Sequence, residues 1–280
     1  MNHSSAPIPG HEAGLVALDV DGTMIDFDGN MTHGVKDTVA KVIDAGVHVV
    51  VATGRSLTAT FPILEELSLD TGYIVCSNGA VTVRLDPGLP AGYEVVETIT
   101  FDPSPALRLL REHLPGAAYA VEDTTGAGYR ISGPFPEGEL IGELRFVEFE
   151  DLLGEPATRV VVRSPNHTPQ EFLELTQHIG LHGVNYAVGW TAWLDLAPEG
   201  VSKATGLELV RQRLAVPADA TVAVGDGRND LEMFAWAGWS VAMGNGQPEA
   251  IEAADDVTRH VHEDGLVDVL ESVLAGQRHL

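Results

Sequence analysis

Five short apolar runs, each stopping abruptly at a polar residue or a glycine, constrain this 280-residue chain more than any other feature of its sequence. They are Leu15 to Leu18 before Asp19, Val47 to Ala52 before Thr53, Tyr73 to Cys76 before Ser77, Thr221 to Val224 before Gly225, and Ser240 to Met243 before Gly244. Near-continuous apolarity without alternation is the pattern of strands buried on both faces, and such strands belong to parallel sheets covered by helices. Helical patterns over 34–45, 57–67, 202–214 and 229–237 lie beside these runs, as the crossovers of a parallel sheet require. In open sheets of this kind ligands bind beyond the carboxyl ends of the strands. The polar residues that end the runs are therefore where chemistry is expected.

The middle of the chain reads differently. From about Val83 to Leu196 the strand patterns are shorter and more alternating, at Val95 to Thr100, Tyr119 to Glu122 and Arg159 to Arg163, with helical stretches at Pro105 to Leu114 and Pro169 to Ile179. Asp86-Pro87-Gly88 and its neighbours mark one junction and Ala197-Pro198-Glu199-Gly200 the other. The expected architecture is an α/β domain, a parallel sheet with helices on both faces, built from residues 1–82 and 197–280, with an α+β insertion over 83–196.

Composition narrows the partners. Against 41 acidic residues stand 16 Lys plus Arg, a formal charge of −25, which repels phosphate backbones and anionic lipid and argues against nucleic-acid or membrane-surface binding. The acids are scattered, as on a solvated surface. Cys76 is the only cysteine, so no intramolecular disulfide and no cysteine cluster for zinc can form. The start of the chain lacks a basic stretch followed by an apolar one, and no run reaches 18 apolar residues. A soluble cytoplasmic protein is expected, and nothing in the sequence speaks to its oligomeric state.

The strand ends carry the chemistry. Asp19-Val20-Asp21-Gly22-Thr23 sets two carboxylates at i, i+2 before a glycine, so both can face one small site, although Asp-Gly is also ordinary turn chemistry. The fourth run ends in Gly225-Asp226-Gly227-Arg228-Asn229-Asp230. If these two strands are neighbours, Asp226 and Asp230 approach Asp19 and Asp21, and four converging carboxylates cannot all ionise cheaply. A hard divalent cation resolves that repulsion, and an all-oxygen shell suits Mg²⁺. The competing reading is a helix start whose Asp and Asn satisfy backbone donors. Thr53-Gly54-Arg55 supplies a hydroxyl, a closely approachable amide and a helix start, the makings of a phosphate-oxygen site. Lys203 sits at the start of the helix expected over 202–214, where the dipole disfavours a cation, so local stability does not call for it and a bound phosphate would.

Together these residues resemble the four motifs of the haloacid dehalogenase-like hydrolases, in order and context. Ser77-Asn78-Gly79-Ala80, Glu199-Gly200-Val201-Ser202-Lys203 and Val241-Ala242-Met243-Gly244-Asn245 are similar more narrowly to the Cof-type sugar-phosphatase branch. The resemblance covers the two outer segments well and the insertion poorly. It implies a Rossmann-like core with an inserted cap, and a Mg²⁺-dependent phosphatase of small phosphorylated metabolites, sugar phosphates foremost. Asp19 would be the nucleophile that becomes an aspartyl phosphate, and Asp21 the general acid and then base. Asp19, the Asp21 carbonyl and Asp226 would hold Mg²⁺, supported by Asn229 and Asp230. Thr53 and Lys203 would bind the phosphoryl oxygens, and Gly54, Arg55 and Asn78 would face the substrate. Cap residues Glu122, Asp123, Tyr129, Arg130, Trp190 and Trp193 are possible leaving-group contacts. Two alternatives stay open: a phosphomutase, and a catalytically idle binding or regulatory module on the same fold.

Overall fold

A computed structural model of the protein describes residues 13–179, 181–188 and 192–280. In chain order its elements are β1 (Leu15–Leu18), α1 (His33–Asp44), β2 (His48–Ala52), α2 (Leu57–Glu66), β3 (Gly72–Cys76), β4 (Val81–Leu85) and β5 (Tyr93–Thr98). Then come α3 (Ser104–His113), β6 (Ala118–Glu122), β7 (Gly128–Ser132), β8 (Glu143–Phe146), β9 (Val160–Arg163), α4 (Pro169–Ile179), β10 (Val184–Val188) and β11 (Trp193–Pro198). The chain closes with α5 (Lys203–Arg213), β12 (Thr221–Gly225), α6 (Leu231–Trp236), β13 (Trp239–Ala242), α7 (Pro248–Ala253), β14 (Asp256–Val257) and α8 (Gly265–Leu274).

The first sheet has the order β14-β13-β12-β1-β2-β3-β4-β5, and its strands from β14 to β3 run parallel. Both faces are covered. Val16, Leu18, Val49, Val51, Val222 and Val224 point to a core shared with Val35 and Val39 of α1, Ile63 of α2 and Val269 of α8. The alternate residues Leu15, Ala17, Val50, Ala52 and Ala223 point to a second core with Leu207 and Val210 of α5 and Phe234 of α6. This two-sided burial is why the runs lack polar alternation. No helix among the described residues is long and apolar enough to cross a membrane.

One expectation is corrected. Val83 to Thr98, read as the start of the insertion, belongs to the first sheet: β4 pairs antiparallel with β3, and β5 with β4. The expected boundary between residues 82 and 83 falls inside β4. The second sheet, of order β10-β11-β9-β6-β7-β8, draws its strands from Ala118 to Pro198 and is antiparallel except at β7–β8. One face packs Tyr119, Val121, Val160, Val162 and Leu194 on Leu107 and Leu110 of α3 and Phe172 of α4. The opposite face bears Ala120, Tyr129, Ile131 and Val161 and faces the strand ends of the first sheet. Contacts between the sheets include Ser77 Oγ donating to Glu122 and Thr58 Oγ1 donating to the Gly126 carbonyl at 3.0 Å.

Candidate active site

β1 lies between β2 and β12, so the chain leaves it flanked by two other strand ends. The Asp19 amide still donates to the Val224 carbonyl at 3.0 Å, and the next residues turn sharply, with Met24 and Ile25 donating back to the Val20 carbonyl. Gly22 has φ +76°, and a Cβ there would stand 2.1 Å from Asp226 Oδ2. A side chain would force the two strand ends apart.

The Lys203 side chain is fully buried, and its Nζ lies 2.5 Å from Asp19 Oδ1 and 2.7 Å from Asp230 Oδ1. It opens α5, whose start is pressed against the loop after β3: a Cβ on Gly79, at φ +100°, would meet the Ser202 carbonyl oxygen at 1.9 Å. Ser202 precedes the helix, and its amide donates to Thr205 Oγ1 at 3.1 Å. The charge that the helix dipole disfavours is thus held by two carboxylates from elsewhere in the chain. Asp230 is also fully used on its other oxygen, which accepts the Asp226 and Gly227 amides at 2.9 Å each. It positions the lysine and the turn after β12.

Asp19, Asp226 and Asp230 offer carboxylate oxygens within 4.8 Å of one another. Three buried carboxylates against one lysine leave excess negative charge. Burial, then Asp19 and Asp230, push Asp226 up to about 9. Burial also raises Asp19 to about 7 against the pull of Lys203. The Lys203 ammonium is disfavoured by burial, yet Asp19 and Asp230 more than compensate and raise its pKa. Among the described residues the Asp226 carboxylate accepts only a long contact from Asn245 Nδ2, at 3.4 Å, while that amide donates to the Gly22 carbonyl at 2.8 Å. An oxygen-rich, under-neutralised cluster of this kind fits a hard divalent cation.

Asp19 and Asp226 open onto a cavity of about 470 Å³ whose lining also includes Asp21, Gly54, Arg55 and Asn229. Arg55 grips Asp21 with both ends of its guanidinium, Nε to Oδ2 at 2.9 Å and Nη2 to Oδ1 at 2.6 Å. Thr53 is buried beneath, its Oγ1 accepting the Arg55 amide at 3.0 Å. Asn78, in the left-handed region at φ 52°, accepts from Asn229 Nδ2 at 3.1 Å and donates its amide to the Thr53 carbonyl. Asp19, Asp226, Asp230 and Lys203 therefore form one cluster. Asp21, Gly54, Arg55 and Asn229 surround the cavity, while Thr53 and Asn78 stand behind it.

The second sheet supplies the opposite wall. Of the residues singled out there, Trp193 lines the cavity. Glu122 and Tyr129 are on the same face but buried behind it, with Glu122 pushed up to about 7, chiefly by burial. Asp123 is occupied in its own loop, Oδ1 accepting the Thr125 amide at 2.8 Å, and Arg130 reaches the Asp151 carbonyl and Glu155. Trp190 lies outside the described residues. Sequence reasoning misses Arg159, Asp195 and Glu139, which also line the cavity. They are lone charges in the insertion, and only the packing of the second sheet reveals which way they face.

The family model described as haloacid dehalogenase-like hydrolase matches residues 16–112 and 131–270. YkrA of Bacillus subtilis is 31% identical over 90% of this chain and 94% of its own. A phosphoglycolate phosphatase of Natronomonas pharaonis is 29% identical over 91% of this chain and 96% of its own. Among solved structures, the subclass IIB sugar phosphatase BT4131 superposes with a TM-score of 0.77 at 19% identity, covering 92% of this chain and 97% of that one. The match to the family model runs through both halves of the first sheet, which meet at Asp19, Lys203, Asp226 and Asp230, and the chain belongs to the haloacid dehalogenase-like hydrolases.

Proposed function

We propose that the protein is a Mg²⁺-dependent phosphatase of small phosphate monoesters, sugar phosphates among them, acting through an aspartyl phosphate on Asp19. The observation that carries this reading is the buried Asp19 carboxylate, tethered by Lys203 and set beside Asp226 at the floor of the cavity. Several relatives are named as phosphatases, which supports the reaction class.

In the first half of the reaction the Asp19 carboxylate attacks phosphorus, an Asp–O–P bond forms, and the ester P–O bond breaks as Asp21 gives its proton to the departing alkoxide. In the second, water attacks the same phosphorus, Asp21 takes the proton, and Asp19 and inorganic phosphate are released. Lys203 neutralises an equatorial oxygen, and the Thr53 hydroxyl and Gly54 amide bind others. Arg55 holds Asp21 over the cavity until substrate arrives. Asp19, Asp226 and the Asp21 carbonyl would hold Mg²⁺, which supplies electrostatic stabilisation of the phosphoryl group. Asp230 and Asn229 would keep those groups in place. The second sheet acts as a cap that excludes water. A lone buried cysteine suits a reducing compartment, the cytoplasm.

A panel of phosphorylated sugars, nucleotides and cofactors with Mg²⁺, scored for free phosphate and for positional isomers, tests the reading. Phosphate release without isomers is expected. Isomers with little free phosphate would make it a mutase, and inertness towards every ester would leave a binding module.

Stability should report the cation independently. Carboxyls whose folded pKa lies above the unfolded value stabilise the fold fully below the unfolded value and lose that contribution as pH rises through the folded one. For Asp19 and Asp226, raised to about 7 and about 9 from 3.8, the metal-free protein should weaken across that window. Mg²⁺ at a fixed concentration, about 100 times its Kd at about pH 8, should raise Tm there by roughly 5–10 °C, and by less at about pH 6, where more of these carboxyls are protonated and the Kd is weaker. A shift that is absent, or larger at the lower pH, would count against the cation site.

A further inference from the structure

The cavity wall formed by the second sheet carries a charge pattern that the hydrolytic steps do not use. The register places Glu122 opposite Tyr129 and sets its amide on the Arg159 carbonyl, and it puts Asp195 diagonally across from Arg159 on the same face. The Arg159 guanidinium donates through Nε to Asp195 Oδ1 at 2.5 Å and through Nη1 to the Tyr129 hydroxyl at 3.3 Å, and lies 5.9 Å from the centre of the Trp193 ring. The other Asp195 oxygen accepts the Trp193 indole N–H at 2.9 Å. Glu139, paired with Arg163 at 3.2 Å, completes this side of the lining. Both arginines on this wall are therefore met by a carboxylate, Arg159 by Asp195 in direct contact with Glu122 buried behind it, and Arg163 by Glu139.

We propose that this wall selects phosphate monoesters with an uncharged, hydroxylated leaving group and rejects those whose leaving group bears a carboxylate. The inference rests on the phosphatase reading above. A carboxylate brought here meets Asp195 and Glu139, while Arg159 and Arg163 are each already committed to one of them, so it finds like charges and no cation free to receive it, which is how specificity is set against a competitor. A hydroxyl is suited to both kinds of group: it donates to carboxylate oxygens, which have lone pairs to spare, and accepts from guanidinium N–H groups left over from the Asp195 and Tyr129 bonds. The Trp193 ring gives the C–H face of a sugar an apolar surface.

Glycerol phosphate and phosphoglycerate are nearly isosteric and differ in whether the far carbon is an alcohol or a carboxylate, so their kcat/KM ratio reads this selection directly. With Mg²⁺ present, the wild-type enzyme should favour glycerol phosphate by about 10-fold or more, and hexose phosphates over phosphoglycolate likewise. Asp195→Asn and, separately, Glu139→Gln should each lower the ratio about 5-fold or more, through a smaller KM for phosphoglycerate. Glu139→Gln leaves the Arg159 network untouched and keeps the test open if Asp195→Asn folds poorly. A wild-type preference for the carboxylated esters, or a ratio unmoved in folded Glu139→Gln, overturns the proposal. No phosphate release from any ester, p-nitrophenyl phosphate included, overturns the phosphatase reading itself and the selection with it.

Discussion

Purified Asp19→Asn is expected to lose turnover by at least about 10⁴-fold while keeping the wild-type fold. The carboxamide occupies the same volume and can still accept from Lys203 Nζ, which sits 2.5 Å from the native oxygen. It carries no charge and no nucleophilic oxyanion, so the step that forms the phosphoenzyme is lost and positioning is retained. Its effect on stability has a definite sign. Burial raises Asp19 to about 7, so above that pH the metal-free native protein is forced to keep an ionised group it disfavours, and the amide relieves this. The variant should therefore melt no lower than wild type in the absence of divalent cations at about pH 8. Phosphate release within about tenfold of wild type would remove Asp19 from its role, and a collapsed fold would show its carboxylate to be a structural necessity.

Lys203→Met should fail in a different way. The lysine is fully buried and holds both Asp19 and Asp230. Removing one partner of a buried ionic group leaves the others uncompensated, at a cost of about 3–5 kcal/mol. Turnover should fall about 10³-fold as well, because an equatorial phosphoryl oxygen loses its counter-charge. Denaturant unfolding of the metal-free protein reads the first effect and phosphate release the second. The double variant Lys203→Met, Asp230→Asn separates them: it removes a buried carboxylate along with the lysine and should recover a good part of the stability, with activity still absent. A single variant as stable as wild type, or a double variant less stable than the single, would contradict this account of the cluster.

The residues of this cluster are legible in the sequence because each ends a strand or opens a helix at one edge of a sheet whose strands are apolar on both faces. Lys203 stands out for being wrong for its helix position, and its partners prove to be 184 and 27 residues away. The hairpin of β4 and β5 is not legible in the same way. Thr82 and Arg84 interrupt the apolar run, and Asp86-Pro87-Gly88 suits a domain junction as well as a hairpin loop. It is a loop, closed by the Asp86 amide on the Gly92 carbonyl at 2.8 Å and the Gly88 amide on Asp86 Oδ1 at 2.9 Å. Arg159, Asp195 and Glu139 are hidden for another reason. Alternation shows that residues of an antiparallel strand divide between two faces, but the face that meets the catalytic edge is decided by α3 and α4 covering the other one.

The position of β1 bears on how the protein is made. Its neighbours are β2, about thirty residues on, and β12, which begins at Thr221. While the chain emerges from the ribosome, one edge of the strand that leads into Asp19 waits for β12, about two hundred residues further on, whereas the strands of the second sheet pair, among the described residues, with one another. Late, long-range closure is slow and leaves a sticky strand edge exposed in the meantime. Asp19 and Lys203 thus meet late in folding, and chains truncated before β12 should be the ones that aggregate.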